Sequence, residues 1–200
     1  MELDHVLIAV TDLETAAREL ESRHGLASVD GGRHRDFGTA NRIIPLGSTY
    51  LELVAVVDPG AAAVSSFGWW VDRGATDDGR LIGWAVRTTT LDDVASRLEL
   101  PTRSGSRVTP AGTELRWRSA GIDEAIAEPC LPFFIEWGDG VPYPGSVDAP
   151  RAKISRLVLQ GNAERVATWL GDHSLPIRVI DGPAEVAAVV LTTGAREIIL

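Results

Sequence analysis

The sequence has little cysteine and no long hydrophobic run. Its single cysteine, Cys130, cannot form an internal disulfide, which indicates a reducing compartment. The apolar runs, such as residues 6–10, are strand-sized and far below the roughly 18 residues of a membrane-spanning helix. The acidic start Met1-Glu2-Leu3-Asp4 leads directly into a strand pattern, unlike the basic start of a signal peptide. We therefore expect a cytoplasmic protein with no membrane partner.

Positive charge is also scarce. The net charge is −9, the pI is about 4.9, and Lys153 is the only lysine. Proteins that wrap nucleic acid usually carry the opposite charge, so we expect no nucleic-acid partner. The sequence contains no Gly-x-Ser-x-Gly, P-loop, dinucleotide-binding or Cys-x-x-Cys motif. Serine hydrolases, nucleotide hydrolases, Rossmann dehydrogenases and zinc fingers therefore have no support.

Three copies of one pattern run along the chain. A strand pattern followed by a helix pattern covers residues 3–20 and recurs at 81–98, an offset of 78, and at 153–170, an offset of 150. In the first copy, Asp12 is the predicted N-cap of the helix and Gly25 its predicted stop. Three strand patterns follow each helix pattern. The sequence therefore predicts βαβββ units at residues 1–58, 80–140 and 151–200.

The strand positions within the units are less regular. In the first unit the three later strands are predicted at residues 33–37, 42–46 and 49–57, after the Gly-rich stretch 31–32. In the second they are predicted near 106–109, at 113–120 and at 131–137, with an insertion at 121–129. The linker 58–79 is expected to hold a short helix that carries Phe67, Trp69 and Trp70.

Each unit ends on a strand that carries a glutamate among apolar neighbours. These residues are Glu52, Glu136 and Glu197. A glutamate in an apolar strand is unfavourable unless it is paired, hydrogen-bonded or bound to a metal. The recurrence indicates a special environment at the end of each unit.

Several of these segments resemble the vicinal oxygen chelate superfamily. They are the start Leu3-Asp4-His5-Val6, the turn Thr11-Asp12-Leu13 and the strand Tyr50-Leu51-Glu52-Leu53-Val54. The stretches Gly38-Thr39-Ala40-Asn41-Arg42 and Pro132-Phe133-Phe134-Ile135-Glu136-Trp137 resemble its glyoxalase-like domain branch. The resemblance implies an α+β fold of the glyoxalase/bleomycin-resistance/dioxygenase type. In that fold two paired βαβββ modules form a curved sheet open on one side, and the third unit is an addition.

The resemblance also implies a set of metal ligands on the first and last strands. Carried over, it assigns His5, Glu52 and Glu136, and the offset of 78 places Gly83 where metal-using relatives have a second histidine. Imidazole and carboxylate ligands suit Zn, Mn, Fe, Co or Ni. The alternatives are a hydrogen-bonded core histidine and glutamates paired with strand arginines. Without a metal, Glu136 is the first candidate for a general base.

Three further residues are candidate substrate contacts. Arg87 shares a strand face with Gly83 and is expected to bind a carboxylate or phosphate, or else to pair with Glu136 or Glu52. His34 reaches the rim of the cup or lies in a solvated hairpin. Trp137 forms an apolar wall of the pocket or packs in the core.

The resemblance implies a lyase or isomerase that acts on a small oxygen-rich substrate, with or without a divalent metal. The alternative function is a metal-free protein of the same fold that binds and sequesters a small aromatic or anionic compound. We expect the third unit to pack against the first two or across a homodimer, since its first strand is apolar on both faces.

Overall fold

A computed structural model describes residues 1–146, 149–194 and 196–200 and confirms an α+β fold. The described strands are β1 (Glu2–Ala9), β2 (Val29–His34), β3 (Thr39–Pro45), β4 (Tyr50–Val56), β5 (Arg80–Arg87), β6 (Thr102–Val108), β7 (Glu114–Ala120), β8 (Phe133–Trp137), β9 (Lys153–Gln160), β10 (Ile177–Ile180), β11 (Glu185–Thr193) and β12 (Arg196–Ile199). The α-helices are α1 (Leu13–His24), α2 (Pro59–Ala63), α3 (Ser66–Gly74), α4 (Leu91–Leu98), α5 (Ile122–Ala127) and α6 (Ala163–Leu170). Within the described ranges, no helix has the length and apolar composition to cross a membrane.

The first eight strands form a closed barrel in the order β1-β4-β3-β2-β6-β7-β8-β5. We expected a sheet that is open on one side, but β2 and β6 meet at the single residue pair Arg33–Val108 and close it. Gly32 permits this contact, because a Cβ atom there would lie 2.2 Å from the carbonyl oxygen of Val108. The closed barrel makes the predicted cup an enclosed interior.

The register between β1 and β5 reproduces the offset of 78. His5 lies opposite Ala85, and Leu7 lies opposite Gly83. Since Gly83 is the equivalent of His5 and Ala85 that of Leu7, the two strands are related by a local two-fold axis. The barrel therefore consists of two equivalent halves, each of the order βαβββ.

Helix α1 begins and ends where its sequence predicts. The Asp12 side chain accepts a hydrogen bond of 2.7 Å from the backbone N–H of Thr15. Gly25 follows the helix with φ of 71°, a left-handed conformation that glycine adopts at low cost. These two caps fix the helix against the outer face of the barrel.

Strands β1, β4, β5 and β8 are largely apolar on both faces. Leu7, Val54 and Ile135 point into the barrel, whereas Trp84 and Phe134 point outward beneath the helices and the third unit. This double burial explains the near-continuous apolar runs in the sequence. It also means that alternation alone does not show which face of a strand points inward.

The linker between the barrel halves holds two short helices rather than the single one expected. Asp58 caps α2 by accepting hydrogen bonds from two backbone N–H groups, and Ser65 caps α3. Phe67 and Trp70 of α3 pack into the barrel, whereas Trp69 is half-exposed beneath Arg73. Helix α3 thus closes one part of the barrel interior.

The third unit has the predicted element order but a different strand order. Its sheet runs β10-β9-β11-β12, with β9 parallel to β10 and antiparallel to β11. In the barrel halves the first strand is instead parallel to the last. The unit packs against the second half, where Trp169 donates a 2.9 Å hydrogen bond to the carbonyl of Pro132 and its ring lies 6.0 Å from that of Phe134.

We expect removal of residues 151–200 to reduce both stability and solubility. Leu157, Leu159, Trp169 and Leu191 are buried in the same apolar cluster as the outer face of the barrel. Their loss would expose that face to water, and large exposed apolar patches promote association. Thermal unfolding and size-exclusion chromatography of the truncated chain check this, and a monomer of unchanged stability would contradict it.

Candidate functional site

The barrel encloses a small cavity of about 40 Å³, which corresponds to about three water molecules. Polar groups occupy one side of it and aromatic rings the other. Its lining residues are His5, His34, Phe37, Asn41, Tyr50, Glu52, Phe67, Arg107, Trp117, Ile122, Phe133, Ile135 and Trp137.

His5 lines this cavity, and its neighbour Asp4 is buried in contact with it. The β1–β5 register shifts between Leu3 and His5, so Asp4 is the extra residue of a β-bulge. The bulge turns both side chains to the same side. The Nδ1 atom of His5 lies 2.6 Å from Oδ1 of the fully buried Asp4, and its ring stacks on Tyr50 at 4.6 Å.

Glu52 is the carboxylate of the cavity. Asn41 donates a 2.7 Å hydrogen bond to its Oε1 atom, and His5 Nε2 lies 3.4 Å from Oε2. Only about 5% of the Glu52 surface is exposed. Asp4, His5 and Glu52 therefore form a buried row in which the imidazole lies between two carboxylates.

His34 lies beside this row. Its Nε2 atom is 3.9 Å from Glu52 Oε1, and its Nδ1 atom is 3.0 Å from the hydroxyl of Thr39. Burial lowers the pKa of His34 to about 4, although the negative charge of Glu52 opposes the shift. His34 is therefore a neutral imidazole at pH 7.

This lowered pKa makes stability depend on pH. The unfolded chain protonates His34 near pH 6.5, whereas the folded protein does so only near pH 4. The contribution of His34 to the free energy of unfolding is therefore fully present above pH 6.5 and is lost as the pH falls toward 4. We expect His34→Asn to reduce the loss of unfolding free energy between pH 7 and 4.5 by about 2–3 kcal/mol.

Urea denaturation at the two pH values measures this difference. The exposed His173 supplies the matched control, His173→Asn, which should retain the pH dependence of the parent protein. An equal pH dependence in the parent and His34→Asn would contradict the buried, neutral imidazole.

Arg107 is the buried cation of the cavity. Only 4% of its surface is exposed, and its Nη1 atom donates a long hydrogen bond of 3.5 Å to Asn41 Oδ1. Within the described ranges of the chain, no carboxylate oxygen lies within 4.0 Å of its guanidinium. Gly31 makes room for it, because a Cβ there would lie 2.8 Å from Arg107 Nη1 and 2.1 Å from Asn41 Oδ1.

Aromatic side chains cover the remaining wall. Trp117 and Trp137 pack edge-to-face at 5.6 Å, and Trp137 donates a 3.1 Å hydrogen bond from Nε1 to Asp4 Oδ2. The Tyr143 hydroxyl lies 3.0 Å from the carbonyl oxygens of Asp4 and Ser48. Trp137 and Tyr143 thus hold Asp4, at one end of the polar row, through its side chain and its backbone.

Two residues that the sequence placed in the cup lie outside it. Glu136 points to the outer face of β8, where it accepts hydrogen bonds from Arg118 (3.2 Å) and from the backbone N–H of Leu91 (3.4 Å). Arg87 lies at the barrel rim, where it pairs with Glu2 and stacks on Tyr143 at 4.6 Å. The Glu136–Arg118 pair is the alternative predicted for Glu136, whereas Arg87 pairs with Glu2 instead of the predicted Glu52 or Glu136.

The register explains why Glu136 misses the cavity. Leu7 lies opposite Glu52, and its equivalent Ala85 lies opposite Phe133. Phe133 is therefore the counterpart of Glu52, at an offset of 81 rather than 78. Glu136 is three residues further on and so faces away, because side chains alternate along a strand.

The arrangement does not fit the divalent metal centre of metal-using relatives. Of the four implied ligand positions, the second half supplies only Gly83 and Phe133, and the Trp70 ring fills the space 2.3 Å from where a Cβ of residue 83 would lie. The buried charge of Arg107 would repel a metal cation. Within the described residues, no three His, Cys, Asp or Glu side chains are grouped to hold a metal ion.

The sequence matches the glyoxalase-like domain family over residues 3–174. The chain belongs to this family. The match confirms the resemblance of its segments to a glyoxalase-like domain. A hypothetical protein from Staphylococcus aureus has a similar structure, with a TM-score of 0.74 at 12% identity over 98% of this chain and 92% of that one. No curated protein matches the chain in sequence.

A methylmalonyl-CoA epimerase from Mycobacterium tuberculosis is a more distant structural match. Its TM-score is 0.47 at 21% identity, over 68% of this chain and 85% of the epimerase. The staphylococcal match supports the fold over nearly the whole length of this glyoxalase-like protein.

Three residues of the site were not singled out from the sequence. Asp4 and Asn41 lie within the segments that resemble the family, next to His5 and Arg42. That location is the signal by which the sequence could have identified them. Arg107 lies in the least regular strand pattern, and nothing in the sequence marks it as buried. The Gly-rich stretch before His34 resembles a loop but forms part of β2.

Proposed function

We propose that this glyoxalase-like protein is a metal-independent isomerase or lyase that moves a proton on a small oxygen-containing substrate. The observation that carries the proposal is the buried row Asp4–His5–Glu52, of which His5 and Glu52 line one cavity in the barrel. A carboxylate and an imidazole within hydrogen-bond reach are the usual groups of general acid–base catalysis. Burial of these groups in the barrel strengthens the charge interactions between them.

Glu52 is the proposed base. It accepts a proton from a carbon atom next to a carbonyl group, and the electron pair of that C–H bond moves toward the carbonyl oxygen. The resulting enolate carries negative charge, which the nearby guanidinium of Arg107 stabilises. Return of the proton to the same or a neighbouring carbon completes an isomerisation.

The cavity volume limits the substrate. About 40 Å³ holds a fragment of only a few non-hydrogen atoms, whereas sites for larger ligands measure about 300–1,000 Å³. We therefore propose a substrate whose reacting end is small. The aromatic wall formed by Phe37, Phe67, Trp117 and Trp137 contacts its apolar part.

Hydrogen–deuterium exchange tests the reaction class without knowledge of the product. The protein is incubated in D₂O with small ketones, aldehydes and 2-oxo acids, and exchange of the hydrogens next to the carbonyl is followed by proton NMR. We expect exchange above the buffer rate with at least one compound and no effect of added EDTA. Loss of the exchange with EDTA would contradict a metal-independent reaction.

The second candidate is a metal-free binding protein that sequesters a small aromatic or anionic compound. The ring-lined wall of the cavity favours it, since apolar pockets with few polar groups are typical of binding sites. The same NMR samples distinguish the two functions. A compound that broadens or shifts on binding, but never exchanges its hydrogens, favours sequestration.

A further inference from the structure

Arg107 differs from the surface arginines because it is buried and has no partner carboxylate among the residues that the structure describes. The surface arginines Arg42, Arg103, Arg116 and Arg118 each pair with an aspartate or glutamate. Arg107 instead is 4% exposed, and its guanidinium borders the cavity with no carboxylate oxygen of the described residues within 4.0 Å. A buried charge without a partner is costly, so its position requires a compensating anion or a function.

The side chain is also held away from Glu52. The amide of Asn41 lies between them, with its nitrogen donating to Glu52 Oε1 at 2.7 Å and its oxygen 3.5 Å from Arg107 Nη1. A direct ion pair would neutralise both groups. Asn41 therefore keeps a base and a cation separate but adjacent in the same cavity.

The geometry points to Arg107 as the binding site for the adjacent oxygens of a small 2-oxo carboxylate, in the place of a metal ion. This inference rests on the proposed function and deepens it by naming the substrate class. A guanidinium presents a planar fork of N–H donors that matches two oxygens side by side, and it stays charged at all relevant pH values. One carboxylate oxygen and the neighbouring keto oxygen fit this fork.

This arrangement also accounts for the catalytic chemistry. Because Asn41 contacts both Glu52 and Arg107 in this cavity, a small ligand held by Arg107 is also close to Glu52. Proton removal then places the new negative charge on the keto oxygen, beside the cation. The charge of Arg107 thus serves both binding and enolate stabilisation.

Binding of pyruvate, propionate and pyruvamide, measured by titration calorimetry, tests the assignment. Pyruvate has both features, propionate lacks the keto oxygen, and pyruvamide lacks the negative charge. We expect pyruvate to bind at least about 10-fold more tightly than pyruvamide, since a hydrogen bond to a charged group contributes about 1.5–3 kcal/mol. Propionate should lie between them.

The Arg107→Met variant should bind pyruvate about 10- to 100-fold more weakly and lose the preference over pyruvamide. Arg103→Met is the matched control, because Arg103 lies on the same strand but is exposed and paired with Asp123. If Arg107→Met does not fold, Arg107→Lys decides. Lysine keeps the positive charge but lacks the planar pair of N–H donors. Arg107→Lys should therefore still bind pyruvate more tightly than pyruvamide, but no more tightly than propionate.

The two proposals fail separately. Equal binding of pyruvate and pyruvamide, or unchanged pyruvate affinity in folded Arg107→Met, would overturn the assignment of Arg107 even if neutral ketones exchange their hydrogens. Tight, Arg107-dependent binding of pyruvate without hydrogen exchange would support the assignment and refute the isomerase.

Discussion

Replacing Glu52 by glutamine is expected to lower the rate of substrate hydrogen exchange by about 10²- to 10⁴-fold, the scale of general acid–base catalysis. Glutamine has the shape of glutamate but cannot accept the proton. Its amide oxygen can still accept the 2.7 Å hydrogen bond from Asn41, so the side chain remains in place. We therefore expect a folded protein with a thermal midpoint close to that of the parent.

The matched variant is Glu136→Gln, which removes a carboxylate of the other half of the barrel. Glu136 accepts hydrogen bonds from Arg118 and Leu91 on the outer face, away from the cavity. Its exchange rate should equal that of the parent. A large loss of exchange rate in Glu136→Gln together with a normal rate in Glu52→Gln would place the base on the outer face of the barrel. That result would refute the proposed site.

The fold was largely predictable because its signals are local and repeated. The Asp12 cap, the Gly25 stop and the apolar spacing of the helices each have a physical cause that acts over a few residues. Their recurrence at an offset of 78 predicted two equivalent halves, and the β1–β5 register confirms it. The closure of the barrel was not predictable, since it depends on one residue pair between distant strands.

The site was only partly predictable. His5 and Glu52 lie together as expected, but the recurring final-strand glutamates are not equivalent. Glu52 faces the cavity, Glu136 faces outward, and Glu197 is exposed at the end of the third unit. Because β8 is apolar on both faces, alternation did not reveal that Phe133 rather than Glu136 is the counterpart of Glu52.

The residues that sequence reasoning missed depend on tertiary contacts. The bulge that turns Asp4 toward His5 arises from pairing between β1 and β5, which no local pattern specifies. Gly31 and Gly32 resemble a turn, yet they lie in β2. Glycine occupies these strand positions because Arg107 and Val108 approach the backbone too closely for a side chain. His34 is therefore a buried residue at the end of a partly exposed strand rather than part of a solvated hairpin.

Replacing Asp4 by asparagine is expected to reduce hydrogen exchange by about 10²-fold or more without unfolding the protein. Asp4 accepts from Trp137 Nε1 through one oxygen and contacts His5 Nδ1 through the other, at 2.6 Å. An asparagine oxygen can keep the tryptophan contact, but its NH₂ group then donates to His5 Nδ1. That reverses the imidazole tautomer, so His5 can only donate to Glu52 and no longer exchanges a proton with it.

Two measurements separate this positioning role from a simple loss of stability. By imidazole ¹⁵N NMR, Nδ1 of His5 should carry the proton in the parent and be unprotonated in Asp4→Asn. The thermal midpoint of each protein shows whether it is folded. Asp78→Asn, at an exposed aspartate, is the control and should change neither the tautomer nor the rate. A reversed tautomer with an unchanged exchange rate would exclude His5 from proton transfer, and Glu52 would then act alone.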